Sequence, residues 1–471
     1  MDDHRDDLDT WLQARIDPLP PPPGTFERIR RRARRRRYRQ VAVSAAAAAV
    51  VAAAVIVVPH VATSVLHVSQ NPQANGAAAN PRTSSSASSG GALSEGHQPK
   101  PEAPSASSPV KSAPSTYPVP PDFAATSVTF VDLDTGWVIG QAGTPGHCAT
   151  RYCTSVARTD NGGVSWYGVP APMTGAADGA SGVSQIRFLN AQDGWAFGPE
   201  LWATSDGGLH WSEVSTGGQR VIDLETVGNR AFAIFAACSG TGTDFAAQCT
   251  SFSLYSAPAG QDSWAPVSPV LTGLGNGGQD ASAQLVLTRS AGYLLAPDGT
   301  LYSGPVSGSG SWQQAGSVPG SASCAPRTAQ PDGQPNGALL AAATVSTLAL
   351  ACTTPASAGG GAQVFTSPNG GASWQQAGTV SGGTVTSIAA QQGGEIVIAT
   401  TSGIQWSSDG GASWHLVASS AGSAGPPGGF SFIGMTSLTQ GVAVPVDTAE
   451  HAVWFTVNGG QAWHSSLIAG S

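Results

Sequence analysis

The chain has 471 residues and a net charge of −8, and charged residues make up only 11% of it, against about a quarter in a typical soluble protein. Its 60 Gly and 34 Pro exclude a protein built mainly from long helices, and its 13 Trp favour turn-rich β structure. Residues 67–471 hold ten Lys or Arg against twenty-two acidic residues. Such an acidic segment repels phosphate backbones, so we expect no nucleic-acid partner.

The N-terminal part predicts a membrane anchor. Residues 1–40 form a short Arg-rich segment that is too small for its own core, and the run that follows, residues 41–66, carries no charge. About 20 apolar residues cross a bilayer as a helix, and arginines on the N-terminal side favour a cytoplasmic N-terminus. We therefore expect a single transmembrane helix over 41–66 and a cell-membrane location with the C-terminal part outside the cytoplasm. A cleaved signal peptide and a buried Ala-rich helix are the alternatives.

Residues 67–120 are rich in Ser, Ala, Pro, Asn and Gly and contain few large apolar side chains. A segment of this composition cannot bury enough surface to offset the entropy lost on ordering. We predict a disordered linker here, between the anchor and a folded domain over 121–471.

Five segments of this domain share the pattern Ser/Thr-x-Asp/Asn-Gly-Gly-x-x-Trp, and we call them box turns. Asp or Asn can bond nearby backbone N–H groups, glycine supplies positive φ, and the Trp begins the next strand. Each box turn therefore predicts a β-hairpin. The Asp/Asn and Trp positions are Asn161 and Trp166, Asp206 and Trp211, Asn369 and Trp374, Asp409 and Trp414, and Asn458 and Trp463.

The box turns belong to a longer repeat. Two degenerate copies, ending at Trp264 and Trp312, fill the gap between the second and third box turns, so that successive repeats lie 40 to 62 residues apart. A second hairpin precedes each copy, as at 128–130 with 136–139. A period near 50 residues with four strands is typical of a propeller. We predict an all-β fold, a seven-bladed β-propeller with four-stranded antiparallel blades, preceded by a single transmembrane helix and a disordered linker.

The box turns resemble the Asp-box, or bacterial neuraminidase repeat, of sialidases and other β-propellers. The phrase from Phe188 to Gly198, Phe-x-Asn-x-x-Asp-Gly-Trp-Ala-x-Gly, and a related one from Phe130 to Gly140 resemble propellers of the photosystem II stability and assembly factor type. The resemblance covers about residues 126–471 and implies a fold more strongly than an activity. It also implies that the box turns brace the blades on the face away from a ligand.

All six cysteines lie in the predicted domain, and an even number favours disulfides. Fifteen pairings are formally possible, and the strand scheme selects sequential pairing, Cys148–Cys153, Cys238–Cys249 and Cys324–Cys352. These pairs would all lie on the face opposite the box turns. Zinc binding is the alternative, but no CxxC or Cys/His spacing supports it, and we expect no metal and no cofactor.

The same face should carry the long loops, and long loops on a rigid scaffold often carry binding residues. The candidate contacts are His147, Arg151, Tyr152, Asp244 and Asp280. We therefore predict a membrane-anchored, non-catalytic binding or assembly module for an unknown protein or glycan partner.

Two other functions stay open at this stage. A sialidase-type glycoside hydrolase is the first alternative, although the Arg-Ile-Pro segment of that family is missing before the first box turn. Two carboxylates could still meet across blades as a glycosidase pair. The second alternative is a transmembrane signalling receptor that links the propeller to the Arg-rich segment at 1–40.

Overall fold

The computed structural model describes residues 117–469 except 145–146, 149, 151, 178–180, 239–248, 268–270, 272–282, 309, 321–323, 325–327, 330–334, 355–359 and 422–424. The predicted single-pass location is wrong for this part of the chain, because no helix in it is long and apolar enough to cross a bilayer. The predicted span at 41–66, the segment at 1–40 and the linker up to residue 116 lie outside the described residues.

The described residues form mainly β-strands, with a short 3-10 turn at Thr448–Glu450. The strands of the first half are β1 (Ala124–Phe130), β2 (Gly136–Gln141), β3 (Gly143–Thr144), β4 (His147–Cys148), β5 (Thr154–Thr159), β6 (Tyr167–Val169), β7 (Gln185–Phe188), β8 (Gly194–Phe197), β9 (Leu201–Thr204), β10 (Ser212–Glu213), β11 (Arg220–Val227), β12 (Arg230–Cys238), β13 (Cys249–Pro258), β14 (Ala265–Pro266), β15 (Gln284–Leu287), β16 (Ala291–Leu295), β17 (Thr300–Pro305) and β18 (Gln313–Ser317).

The second half continues with the same alternation of strands and turns. Its strands are β19 (Thr328–Ala329), β20 (Pro335–Asn336), β21 (Ala338–Ala342), β22 (Leu348–Thr353), β23 (Gly360–Ser367), β24 (Gln375–Val380), β25 (Gly383–Ala390), β26 (Ile396–Thr400), β27 (Gly403–Ser407), β28 (His415–Ser419), β29 (Phe430–Met435), β30 (Gly441–Pro445), β31 (Ala452–Thr456) and β32 (His464–Leu467).

The sheets form a β-propeller, but the predicted number of blades is wrong. Among the described residues there are five four-stranded blades, made of β1-β2-β5-β6, β7–β10, β11–β14, β15–β18 and β29–β32. Strands β21 to β28 form one eight-stranded sheet instead of two separate blades. The prediction of seven four-stranded blades is therefore corrected to five, plus this larger sheet.

The eight-stranded sheet is continuous because β23 and β25 pair in parallel. Gly360 lies opposite Gly383, and Gly361 lies opposite Thr384. Gly360, Gly361 and Gly383 all have positive φ, which glycine adopts without strain. A Cβ on Gly360 would lie 3.0 Å from the Gly383 carbonyl carbon, so the absence of side chains lets the two backbones approach.

The core consists of apolar clusters between consecutive sheets. One cluster joins the first two blades through Trp137, Ile139 and Val156 on one side and Ile186 and Phe188 on the other. Another packs Val128 and Trp166 of the first blade against residues of the last, Val442, Val453 and Phe455. Packing between the first and last blades closes the sheets into a ring, which gives every blade a neighbour on both sides.

The box turns and the inner hairpin turns lie on the same face, which we call the box face. In each box turn the first glycine N–H donates to a carbonyl of the inner hairpin turn of the same sheet. The pairs are Gly162 with Asp134, Gly207 with Gln192, Gly370 with Ser346, Gly410 with Gly394, and Gly459 with Thr439. The loops between the second and third strands leave the sheets on the opposite side.

Candidate functional site

The box turns have a structural role, since their Ser and Thr hydroxyl groups form hydrogen bonds within the turn. In the fourth, the Ser407 hydroxyl donates to Asp409 Oδ1 at 2.8 Å and accepts the Gly411 N–H at 2.8 Å. The other four repeat both bonds with Thr159, Thr204, Ser367 and Thr456. These five Ser and Thr side chains are all buried. A ligand could not reach these hydroxyls without opening the turn.

Carboxylates in two box turns have lowered pKa values. Hydrogen bonds from Ser413, and then from Ser407, lower the pKa of Asp409 to about 2. Burial acts to raise the pKa of Asp206, but hydrogen bonds from His210 and Thr204 outweigh it and lower the pKa. His210 Nδ1 lies 2.6 Å from Asp206 Oδ2. Both carboxylates are therefore ionised acceptors near neutral pH, which suits a structural role.

Three disulfides are present, Cys148–Cys153, Cys238–Cys249 and Cys324–Cys352, so the prediction of disulfides is confirmed. The first closes the connection between β2 and β5, and the second joins the end of β12 to the start of β13. Both lie at loops between second and third strands, opposite the box face. We call this side the disulfide face.

The predicted contact residues are only partly described. His147 is exposed on β4, beside Cys148, and Tyr152 is half-buried beside Cys153. The Cys148–Cys153 bond therefore places His147 and Tyr152 at the two ends of one closed loop. Arg151, Asp244 and Asp280 lie outside the described residues, so their role as ligand contacts stays a prediction.

The described residues enclose a central cavity of about 1310 Å³. It is lined by the first strand of each four-stranded blade and by β21 and β25 of the larger sheet. Gly198, Pro199 and Cys249 also line it, and these residues lie at connections on the disulfide face. The cavity therefore reaches the face on which the sequence predicts binding.

All charged residues of the cavity lining come from two neighbouring strands. They are Arg187 on β7 and Asp223 and Glu225 on β11. Arg187 Nε donates to Glu225 Oε1 at 3.0 Å, and its guanidinium carbon lies 5.5 Å from the centre of the Phe432 ring. The Glu225 side chain keeps 29% of its surface exposed, against 12% for Arg187. The lining thus has one more negative than positive charge, and Glu225 is accessible.

The polar wall is fixed by bonds between neighbouring blades. The Ser127 hydroxyl on β1 accepts the Ile186 N–H at 3.3 Å and an Arg187 N–H at 3.2 Å. Asp223 Oδ2 accepts the Leu285 N–H at 2.7 Å. These side chains replace the backbone pairing that the diverging innermost strands cannot make, so the wall is rigid before any ligand arrives.

The strands that continue the ring beyond β11 contribute no charged residue to the lining. They contribute the apolar side chains of Val286 and Leu287 of β15, Leu339 and Ala342 of β21, and Ile388 of β25, together with the polar side chains of Gln284, Thr386 and Ser387. Val286, Leu287 and Ala342 are partly exposed. The cavity can therefore hold a ligand that carries both charged or polar groups and apolar groups.

Reasoning from sequence did not select Arg187, Asp223 or Glu225 as site residues. A signal was present, because Asp223 and Glu225 are two residues apart in a strand and so share one side of it. Buried positions on a propeller strand are expected to be apolar. Two acidic residues on one side of an innermost strand therefore indicate that this side faces the central cavity. Within the described residues, no three His, Cys, Asp or Glu side chains come together to hold a metal ion.

No protein-family model and no curated protein sequence matches this chain. Its fold is similar to that of YCF48 bound to D1 peptide, at 15% identity over 73% of this chain and 96% of that chain, with a TM-score of 0.46. YCF48 from Cyanidioschyzon merolae is similar at 15% identity over 73% and 98%, with a TM-score of 0.46. The Niastella koreensis GH74 enzyme is similar at 13% identity over 74% of this chain and 66% of that chain, with a TM-score of 0.37. We draw no functional conclusion from similarities at this level.

Proposed function

We propose that this protein is a non-catalytic binding module that holds a segment of a protein partner in the central cavity, entered from the disulfide face. The observation that carries the proposal is that the cavity lining combines charged side chains on β7 and β11 with partly exposed apolar side chains on β15 and β21. A polypeptide segment presents both kinds of group along its length. We also infer that the box turns are of the Asp-box type that the sequence resembles.

The rigidity of the polar wall supports binding. Asp223 and Ser127 are already held by neighbouring strands, so few groups of the wall need to be ordered when the partner enters. Preorganisation of this kind reduces the entropic cost of association. The partly exposed apolar side chains of β15 and β21 then supply surface whose burial contributes about 25 cal/mol per Å².

The role of the two carboxylates favours recognition over catalysis. Glu225 bonds Arg187, and Asp223 accepts a backbone N–H of the next blade. A glycosidase pair needs one carboxyl group that gives up a proton and another that attacks or activates water. Carboxylates that serve as fixed acceptors hold the cavity in shape instead, and Glu225 offers its exposed oxygen to a donor of the partner.

The test is an array of immobilised peptides, probed with the full chain and with two variants. Glu225→Gln removes the charge from the cavity, and Glu213→Gln removes a charge from the exposed strand β10 as the matched control. We expect a set of peptides whose binding weakens at least tenfold with Glu225→Gln and is unchanged with Glu213→Gln.

The contrary results are equally specific. Peptides that bind both variants equally would show that the cavity is not the site. Binding to a glycan array, with no binding to the peptide array, would show that the partner is a glycan and not a protein segment. Hydrolysis of a fluorogenic sialoside or of a glycoside panel, lost in Glu225→Gln, would overturn the non-catalytic assignment.

A further inference from the structure

Four exposed apolar side chains lie on the box face in the turns of the first and last blades, which are neighbours in the ring, and we call them the seam patch. Leu133 is 56% exposed and Leu438 is 57% exposed, each in an inner hairpin turn. Val164 and Val457, in the box turns of the same two blades, are 83% and 68% exposed. Each of the four turns at this junction thus presents one large apolar side chain to solvent.

The four turns are joined in series by hydrogen bonds, which places neighbouring turns side by side on the box face. The Gly162 N–H donates to the Asp134 carbonyl, which links the first box turn to the turn of Leu133. Gln440 Nε2 then donates to the Leu133 carbonyl at 3.0 Å and crosses from the last blade to the first. In the last blade, the Gly459 N–H donates to the Thr439 carbonyl, which links the box turn to the turn of Leu438.

The turn geometry does not require these side chains. At the position of Leu133 and Leu438, the corresponding inner turns of other sheets carry Ala191, Gly393 and, in one case, Val345. At the position of Val457, the other box turns carry Asp160, Ser205, Pro368 and Ser408. Small or polar residues occur in several equivalent turns, so the turn does not require an apolar side chain, and the grouping of four of them in two neighbouring blades needs another explanation. Contiguous exposed apolar patches on soluble proteins commonly mark interaction sites.

The charges around the seam patch define its partner. Asp132, Asp134 and Asp160 are exposed in the same turns. The neighbouring cation, Arg158, is bonded to Asp160 at 2.8 Å and lies over the Trp137 ring. The rim on the side of the first blade is therefore negative, and a second copy of this chain docked with the same side of its patch there would bring like charges together.

We propose that the seam patch docks a segment of another protein that carries Lys or Arg beside apolar side chains. Its apolar groups cover Leu133, Val164, Leu438 and Val457, and its cations face the acidic rim. This site is separate from the central cavity and lies on the other face of the ring.

The proposal is tested by fluorescence anisotropy with the full chain and two labelled synthetic peptides of equal length, one of alternating Leu and Lys and one of alternating Leu and Glu. We expect the Leu-Lys peptide to bind at least tenfold more tightly. The double variant Leu133→Ser/Leu438→Ser should weaken its binding at least tenfold, and Asp132→Asn/Asp134→Asn should weaken it with a reduced dependence on salt.

Val345→Ser is the matched control, because Val345 is 53% exposed in the equivalent inner turn of a distant sheet. It should leave binding unchanged, as should Glu225→Gln in the cavity. Equal losses in Val345→Ser and in the double variant would overturn the proposal, and so would the absence of binding. Self-association of the chain that disappears in the double variant would assign the patch to a second copy and also overturn it.

Discussion

The hydroxyl of Ser407 should account for much of the stability of the fourth box turn. Its side chain is fully buried, and the hydroxyl both donates to Asp409 and accepts the N–H of the buried Gly411. Ser407→Ala leaves that N–H without an acceptor. An unsatisfied buried polar group costs about 1–3 kcal/mol, so we expect the free energy of unfolding to fall by about that amount.

The assay is urea unfolding followed by tryptophan fluorescence, with Ser408→Ala as the control. Ser408 is the adjacent residue, has the same side chain and is exposed, so its replacement should change the unfolding free energy by less than about 0.5 kcal/mol. If Ser407→Ala is no more destabilising than Ser408→Ala, the box turns do not stabilise the blades as argued.

Three further predictions concern the same scaffold. Since the pKa of Asp409 in the folded state is about 2, below an unfolded value near 3.9, its stabilising effect is complete above about pH 4 and is lost as the pH falls towards 2. Asp409→Asn, the residue found at Asn161, Asn369 and Asn458, should therefore flatten the loss of stability measured between pH 5 and pH 2.5. Trp137→Ala should lower the unfolding free energy by about 3–5 kcal/mol in urea, because the ring is buried, stacks on Phe188 at 3.7 Å and donates to the Gly207 carbonyl; an effect below about 1 kcal/mol would contradict this packing. Under mild reductant, alkylation and mass spectrometry should find Cys148 modified before Cys352, because Cys148 is exposed and Cys352 is fully buried; the reverse order would contradict the assigned burial.

Much of the scaffold could be predicted from sequence because its turns require residue types that few other residues can replace. The Asp/Asn-Gly-Gly-x-x-Trp sequence demands positive φ and a local acceptor, and all five examples form the expected bonds. One of the sequential cysteine pairs forms for a related reason, since antiparallel pairing brings its two residues close. Cys238 lies opposite Cys249 across β12 and β13.

The number of blades could not be predicted in the same way. The pairing of β23 with β25 depends on Gly360, Gly361 and Gly383. A glycine-rich segment has no alternation of apolar and polar side chains, so the sequence does not show whether it is a loop or a paired strand. The cavity was missed for a different reason. Its charged residues come from β7 and β11, and the pairing of Arg187 with Glu225 spans 38 residues, which no local pattern reveals.

Photo-cross-linking of a peptide selected on the array tests the central claim most directly. Benzoylphenylalanine in place of Ala390 puts the reactive group in the cavity wall, and the same residue in place of Leu416 puts it on the exposed outer strand β28. A protein that binds its partner in the central cavity should cross-link the peptide from position 390 and not from position 416. Cross-linking from position 416 alone, or from both positions equally, would contradict a binding site inside the ring.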